Sequence, residues 1–232
     1  MKCGNGYDLD AVAFDIDGTL YPSWKMTLRC IPFACRYMHF MRAFKKVRRV
    51  LHEWSAAQPE VPFDDLFGMQ QNLLAEQLGI DPDEAGRFIR ENIYQGWEPY
   101  FARIKPYPYV HETMHKLKAA GLKIGILSDF PPEQKGTLWG LLPLCDTVIG
   151  SESTGALKPS HVPFMRLAES LAVPCERILY VGNSEAYDIE GAAAVGMKTA
   201  YIRHPAAGLL GKKMQKADIS FSNYRQFLQI ML

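Results

Sequence analysis

The chain of 232 residues lacks any long uncharged apolar run. A helix that spans a bilayer needs about 20 consecutive apolar residues, so the sequence predicts no transmembrane segment. Residues 1–8 contain no apolar core of the kind found in secretory signals. We therefore expect a cytoplasmic protein with no membrane partner.

Cysteine is scarce, and its pattern excludes two structural devices. The five cysteines are an odd number, and none stands in a C-x-x-C pair. This argues against a disulfide framework and against a structural zinc site. The pattern is typical of a protein from a reducing compartment.

An overall excess of charge is also missing, since the formal net charge is +1, but opposite charges are segregated. Residues 25–52 contain eight Lys/Arg and no Asp/Glu, whereas residues 53–91 contain nine Asp/Glu and two Arg. A basic helix can bind nucleic acid or an anionic membrane surface. We favour a solvated helix face that pairs with the adjacent acidic helices, and expect no nucleic-acid partner. The alternative is that one or two of these cations reach an active site and hold an anionic substrate.

Residues 21–105 are predicted to form an all-helical insert. Apolar residues recur there at three- and four-residue steps, which is typical of one helix face. This stripe consists of Phe33, Tyr37, Phe40, Phe44, Val47, Leu51 and Trp54. Further helices are expected from Asp65 to Leu78 and from an Asp81 N-cap to about Tyr94. The stripe packs either internally or against a second copy, so we expect a monomer or a homodimer.

The remainder of the chain, residues 1–20 and 106–232, alternates short apolar strands with helices. Strands are predicted at 11–14, 123–127, 147–150, 177–181 and 199–202, followed by a looser tail. Helices are predicted at 109–120, from 132 to about 140, at 162–171 and at 189–195. This alternation predicts an α/β fold with a parallel sheet and helices on both faces.

Two carboxylates, Asp15 and Asp17, directly follow the first predicted strand. Strand side chains alternate with period two, so both point to the same side at the carboxyl edge of the sheet. Two like charges there need a positive partner, and a hard cation such as Mg²⁺ suits carboxylate oxygens. One carboxylate can then act as a nucleophile and the other as an acid and base.

Other polar residues follow later strands, and together they suit phosphoryl transfer. Lys158 supplies a fixed positive charge, while the Ser128 hydroxyl and the N–H groups around Gly18 and Thr19 can bind phosphate oxygens. The predicted magnesium ligands are Asp15, Asp17, Asn183 and Asp188. Asp129 completes the predicted phosphate-binding set, although its carboxylate would repel phosphate unless it turns away or binds a cation.

Four sequence motifs resemble those of the haloacid dehalogenase-like hydrolase superfamily. They lie in order at residues 14–20, 126–129, 157–159 and 181–197. The resemblance implies a Rossmann-like core of three layers, α/β/α, with a helical cap between the first and second motifs. It also implies an aspartyl-phosphate on Asp15, an acid/base role for Asp17, phosphate contacts from Ser128 and Lys158, and magnesium near the fourth motif. We therefore predict a magnesium-dependent phosphatase whose partner is a small phosphorylated metabolite.

Asn183 departs from the family pattern, because the metal-dependent phosphatases usually have Asp at this position. An Asn oxygen can contact Mg²⁺ but contributes no charge, so we expect a weaker metal site. One alternative is a catalytically weak member that binds a ligand. Another is a phosphonate-cleaving or phosphomutase relative, for which Lys25, Lys45 and Lys46 are candidate Schiff-base lysines. Dehalogenation is disfavoured, since dehalogenases of the family typically lack the second Asp, found here as Asp17.

Overall fold

The computed structural model describes residues 6–203 and 217–232, in which six strands form one parallel sheet. The strands are β1 (Ala11–Phe14), β2 (Lys123–Ser128), β3 (Thr147–Gly150), β4 (Ile178–Gly182), β5 (Lys198–Ile202) and β6 (Ile219–Phe221). Their order is β3-β2-β1-β4-β5-β6. The apolar β1 is a central strand, and its four residues are fully buried.

Ten α-helices surround or extend from the sheet within the described residues. They are α1 (Ser23–Arg29), α2 (Ile31–Arg36), α3 (Met38–Ala57), α4 (Leu66–Leu78), α5 (Pro82–Phe88), α6 (Glu98–Phe101), α7 (Val110–Ala119), α8 (His161–Leu171), α9 (Glu190–Ala194) and α10 (Tyr224–Met231). Wider π-helical turns occupy Ile89–Gln95 and Glu185–Ile189. None of the helices in the described part of the chain has the length and apolar character needed to cross a bilayer.

The alternation of side chains along β1 explains the three layers. Val12 and Phe14 belong to one hydrophobic cluster, which includes residues of α7 and α10. Ala11 and Ala13 belong to a second cluster, which includes residues of α8 and α9. Small residues let α8 approach closely, since a Cβ on Gly125 of β2 would lie 2.9 Å from Leu167. The predicted α/β/α architecture is confirmed.

The segment between β1 and β2 is helical and has a hydrophobic cluster of its own. Phe44, Val47 and Leu51 from the apolar stripe of α3 are buried in it, beside residues of α4 and α5. The Asp65 carboxylate caps α4 by accepting a hydrogen bond from the Gly68 N–H. That helix ends at Gly79, whose φ of +66° is readily adopted by glycine.

The helical segment leaves and rejoins the sheet at one place. The Tyr107 N–H donates to the Leu20 carbonyl over 2.9 Å, so the entering and returning chains lie side by side. Met26, Phe101 and Ile104, near the two ends of the segment, belong to the cluster around the sheet rather than to that of α3–α5.

Two sequence predictions were wrong in this part of the fold. The predicted helix after residue 132 is a series of 3₁₀ turns, because Gly136 and Trp139 adopt positive φ values that interrupt an α-helix. In the predicted loose tail, residues 217–232 contain β6 and α10, whereas residues 204–216 lie outside the described part of the chain. The α10 helix begins at an Asn223 N-cap, and its face of Tyr224, Phe227 and Met231 belongs to the hydrophobic cluster around the sheet.

Candidate active site

Asp15 lies at the carboxyl end of β1 and is almost fully buried. Its Oδ1 atom lies 2.8 Å from Nζ of Lys158, and its Oδ2 atom accepts a hydrogen bond of 2.8 Å from the Thr19 hydroxyl. Burial raises the pKa of Asp15 to about 7, and Asp188 and Asp17 act in the same direction, while Lys158 opposes them. The charge on this carboxylate therefore depends on neighbouring cations.

Lys158 is buried between two carboxylates. Its Nζ atom lies 2.8 Å from Oδ1 of Asp15 and 2.7 Å from Oδ1 of Asp188. Burial by itself would lower the pKa of Lys158, but the two carboxylates outweigh it and raise the pKa well above its ordinary value. Lys158 is therefore a permanent ammonium group beside Asp15.

Asp188 holds this lysine and also orders the loop after β4. Its Oδ2 atom accepts hydrogen bonds from the N–H groups of Asn183, at 3.1 Å, and Ser184, at 2.9 Å. Close packing requires glycine nearby, since a Cβ on Gly182 would lie 2.3 Å from Cβ of Asp188. Both oxygens of Asp188 thus accept hydrogen bonds from protein donors, so this side chain positions Lys158 and the loop after β4.

Asp17 faces two donors that the sequence did not single out. The Tyr21 hydroxyl and the Lys135 ammonium both donate to its Oδ1 atom, the latter over 2.7 Å. Burial and the Asp17 charge raise the pKa of Tyr21 far above its usual range, so the phenol stays protonated. These contacts fix the orientation of the Asp17 carboxyl.

Gly18, Thr19 and Asn183 meet beside Asp15. The Thr19 hydroxyl lies 3.1 Å from Oδ1 of Asn183, and a Cβ on Gly18 would lie 2.2 Å from Nδ2 of the same side chain. Gly18 also has a φ of +94°, a conformation that disfavours other residues. The Thr19 carbonyl accepts a hydrogen bond of 2.9 Å from the Tyr224 hydroxyl, which connects α10 to this turn.

Ser128 is the last residue of β2, and Asp129 follows it directly. The buried Ser128 Oγ atom accepts from the Phe130 N–H at 3.3 Å. The Asp129 Oδ1 atom accepts from the Lys158 backbone N–H at 3.3 Å, and its Oδ2 atom lies 3.9 Å from Nε2 of His52. Burial would raise the pKa of Asp129, but Lys158, His52 and Arg48 outweigh it, so the pKa is lowered.

The long helix α3 contributes two residues that sequence reasoning missed. Arg48 forms a buried ion pair with Glu152, donates to the Asp129 carbonyl over 3.2 Å, and lies 4.6 Å from the centre of the Phe130 ring. The His52 Nδ1 atom lies 2.6 Å from the Lys158 carbonyl oxygen, and its ring stacks on Tyr187. A signal was present for Arg48, because it is a charged residue on the apolar face that contains Phe44 and Leu51.

The oxygen atoms beside Thr19 suit a magnesium ion. Oδ2 of Asp15 and Oδ1 of Asn183 both lie within 3.1 Å of the same Thr19 hydroxyl oxygen. In the described ranges, no three His, Cys, Asp or Glu side chains form a cluster that could hold a metal ion. Magnesium needs no such cage, since it commonly takes one or two protein oxygens and keeps several waters. The donors present are therefore compatible with this cation.

The formal charges of the site are also compatible with a bound cation. Three carboxylates, Asp15, Asp17 and Asp188, are paired with two ammonium groups, Lys135 and Lys158. With Asp17 ionised the sum of these charges is negative, and with Asp17 in its acid form it is zero, so a phosphate dianion would meet no net positive charge here. A bound Mg²⁺ would add that positive charge and favour the approach of an anionic substrate.

The chain resembles known proteins along most of its length. The model for the haloacid dehalogenase-like hydrolase family matches residues 9–196. Glyceraldehyde 3-phosphate phosphatase of Methanocaldococcus jannaschii is 34% identical over 228 residues, which are 93% of this chain and 92% of that protein. The protein of the same name from Methanopyrus kandleri is 30% identical over 207 residues, 84% of each chain. The crystal structure of a HAD phosphatase from Thermococcus onnurineus has a TM-score of 0.60 and 24% identity, with 96% of this chain and 99% of that chain covered.

Proposed function

Because the chain belongs to the haloacid dehalogenase-like hydrolases, we propose that it is a magnesium-dependent phosphatase acting on a small phosphorylated metabolite. The observation that carries the proposal is the second carboxylate, Asp17, held in a fixed orientation two residues after the candidate nucleophile Asp15. An alkoxide leaving group requires a proton, whereas a halide does not. A positioned acid therefore favours phosphate ester hydrolysis over dehalogenation.

In the first step a carboxylate oxygen of Asp15 attacks phosphorus and the bond to the leaving oxygen breaks. Asp17 in its acid form gives its proton to that oxygen, and an alcohol departs. In the second step Asp17 takes a proton from water, and the resulting hydroxide attacks phosphorus. The P–O bond to Asp15 breaks, inorganic phosphate leaves, and both aspartates return to their starting states.

Lys158 has two roles in this proposal. Its ammonium group favours the ionised form of the Asp15 carboxylate, against the effect of burial. It also offsets negative charge on the phosphoryl group as the two approach. The Ser128 hydroxyl and the N–H groups around Gly18 and Thr19 are proposed to bind the remaining phosphate oxygens. Asp129, which faces His52 and the Lys158 backbone, is proposed to stabilise this lysine-bearing loop.

We propose that Asp15 and Asn183 are the side chains that hold Mg²⁺. When bound, the cation supplies positive charge that screens the phosphate from the nucleophile. Asp17 is assigned to proton transfer, and Asp188 to the positioning of Lys158. Of the four magnesium ligands predicted from the sequence, this proposal keeps Asp15 and Asn183 and gives Asp17 and Asp188 other roles.

The substrate is proposed to be a small phosphate monoester, because relatives named glyceraldehyde 3-phosphate phosphatase align along most of the chain.

The four described cysteines, Cys30, Cys35, Cys145 and Cys175, are free, which supports a reducing location such as the cytoplasm.

The test is release of inorganic phosphate from 4-nitrophenyl phosphate and from a panel of triose, glycolate and sugar phosphates. It is run with Mg²⁺ and with a chelator, beside Asp15→Asn. We expect release that requires Mg²⁺ and disappears in the variant. In Asp17→Asn, a ³²P-labelled substrate should leave label on the protein that hydroxylamine removes, as expected for an acyl phosphate. Release that survives in Asp15→Asn would contradict the assignment of the nucleophile.

A second candidate function, a weakened enzyme that mainly binds its ligand, is favoured by Asn183. This side chain offers one neutral oxygen where a carboxylate would add charge. Asn183→Asp tests the point: a large gain in turnover with a lower Mg²⁺ requirement supports this candidate. Little change in an already active wild type excludes it.

The phosphonate-cleaving alternative has less structural support. Lys46 donates to Gln77 at the surface of the helical layer, and Lys45 is exposed. Lys25 lies beside the Trp24 ring. Borohydride trapping in the presence of a phosphonoaldehyde would detect a Schiff base if one of these lysines were the catalytic group.

A further inference from the structure

We propose that Lys135 is a positioning residue for Asp17, which it holds in the orientation required to protonate the leaving group; this inference rests on the proposed phosphatase function. Lys135 stands outside the four sequence motifs. Its side chain is 3% exposed, and its Nζ atom lies 2.7 Å from Oδ1 of Asp17.

Aromatic rings surround the Lys135 ammonium group where it contacts Asp17. The Nζ atom lies 5.1 Å from the centre of the Phe101 ring and 6.0 Å from that of Phe130. These rings offer their electron-rich faces to the ammonium group and are too bulky to let it swing away. Lys135 therefore connects the turn after β1, the segment after β2 and the end of the helical layer.

Lys135 contacts one particular oxygen atom of the Asp17 carboxyl group, and this determines which oxygen can carry the proton. Lys135 and Tyr21 both donate to Oδ1 of Asp17, so Oδ2 takes part in neither of these two bonds. Two donors on one oxygen fix the rotation of the carboxyl group about its Cβ–Cγ bond. The other oxygen is then the one that carries the proton to the substrate. Loss of Lys135 leaves the single hydrogen bond from Tyr21 and a carboxyl group with more rotational freedom.

Protonation of the leaving oxygen matters in proportion to the basicity of that oxygen. An alkoxide leaves slowly without a proton, whereas 4-nitrophenolate leaves readily without one. A misplaced acid should therefore slow the cleavage of alkyl phosphates far more than that of nitrophenyl phosphate. A general loss of structure would slow both reactions by the same factor.

The experiment measures kcat/KM, which reports the first chemical step, for glycerol 3-phosphate, phenyl phosphate and 4-nitrophenyl phosphate. Wild type is compared with Lys135→Met, with Lys135→Arg and with Lys116→Met, which removes an exposed ion pair with Glu112. We expect Lys135→Met to lose about tenfold or more additional activity on the alkyl ester relative to 4-nitrophenyl phosphate, in line with the size of general-acid effects. Lys135→Arg should recover part of the difference, and Lys116→Met should match wild type.

Thermal unfolding of each variant checks that it is folded. Tyr21→Phe is a second variant that tests the same inference. Loss of the other donor to Oδ1 should produce the same leaving-group bias. Equal losses on all three esters, or no loss, in Lys135→Met and Tyr21→Phe would overturn this inference while the phosphatase assignment stands. A wild-type protein that hydrolyses none of the esters would overturn the proposed function and this inference together.

Discussion

Arg48 of α3 and Glu152, in the turn that follows β3, form an ion pair in which the side chains are 9% and 10% exposed. Gln70 and Tyr94 complete the arrangement, since the Gln70 Oε1 atom accepts from Arg48 and the Tyr94 hydroxyl donates to Glu152. This polar network thus joins the helical segment between β1 and β2 to the turn after β3.

Removing both partners of this pair should cost less free energy of unfolding than the sum of the two single losses. Arg48→Met leaves a buried carboxylate without its cation, and Glu152→Gln leaves a buried guanidinium, each at about 3 kcal/mol. The double variant should lose about 1–3 kcal/mol less than the sum of the two. Urea unfolding measures this. The exposed pair of Arg49 and Glu53 is the matched control, with an effect below about 0.5 kcal/mol. Additive effects at Arg48 and Glu152 would contradict the network.

Asp188→Asn should reduce turnover while leaving the magnesium requirement nearly unchanged. Both oxygens of Asp188 accept hydrogen bonds, one from Lys158 and the other from the backbone of Asn183 and Ser184. The variant weakens the hold on Lys158, so we expect kcat to fall about 100-fold or more. The Mg²⁺ concentration for half-maximal activity should stay within about threefold. A large rise in that concentration, with turnover preserved at saturating Mg²⁺, would instead identify Asp188 as a metal ligand.

His52 should make the protein less stable as the pH falls below about 6.5. Burial is the main cause that lowers the pKa of His52 from its usual value of 6.5, with Asp129 opposing it. The unfolded chain therefore binds a proton at a higher pH than the native state does. Stability is highest above pH 6.5 and is lost as the pH falls through the native pKa.

Urea unfolding at a series of pH values between 7.5 and 5 tests this prediction. In His52→Gln the free energy of unfolding should fall less steeply as the pH decreases. The difference in slope from wild type should correspond to at most one proton taken up on unfolding. The exposed His111, changed to Gln, is the control and should leave the slope as in wild type. A slope unchanged in His52→Gln would show that other groups cause the loss of stability.

Tyr224→Phe should destabilise the protein by about 1–2 kcal/mol, because it removes the hydroxyl that donates to the buried Thr19 carbonyl. Since Thr19 belongs to the turn beside Asp15, kcat should fall as well. Tyr109→Phe, at an exposed tyrosine, serves as the control. Thermal unfolding and phosphate release measure the two effects. Unchanged stability in Tyr224→Phe would mean that α10 supports the turn by apolar packing alone.

The sequence was sufficient to predict five of the six strands and the layers of the fold, for a physical reason. Strands such as β1 and β4 are short, apolar and buried on both faces, and helices such as α4 carry their own caps at Asp65 and Gly79. These are local signals. The tail was missed although Phe221, Tyr224, Phe227 and Met231 recur at helical steps, because a short strand preceding a single helix gave too weak a pattern.

The contacts of the candidate site depend on distant residues and could not be predicted in the same way. Lys158 meets Asp15 and Asp188 because parallel strands bring their carboxyl ends to one edge, which is a consequence of topology and was foreseen. Lys135 reaches Asp17 from a 3₁₀ turn whose path is set by positive φ values, and no periodicity in the sequence indicates it. Arg48 was detectable as a charge on an apolar face, but its partner Glu152 was not.

The backbone hydrogen bond between Tyr107 and Leu20 has a consequence for how such a chain can diversify. The two ends of the intervening helices already meet, so changing the length of that segment adds little to the entropy of bringing β1 and β2 together. The pairing of Ala11 with Lys123 is set by the sheet itself. A helical segment exchanged between related chains would therefore join the sheet at this one place, and the contacts of α3 with Asp129 and Lys158 would change with it.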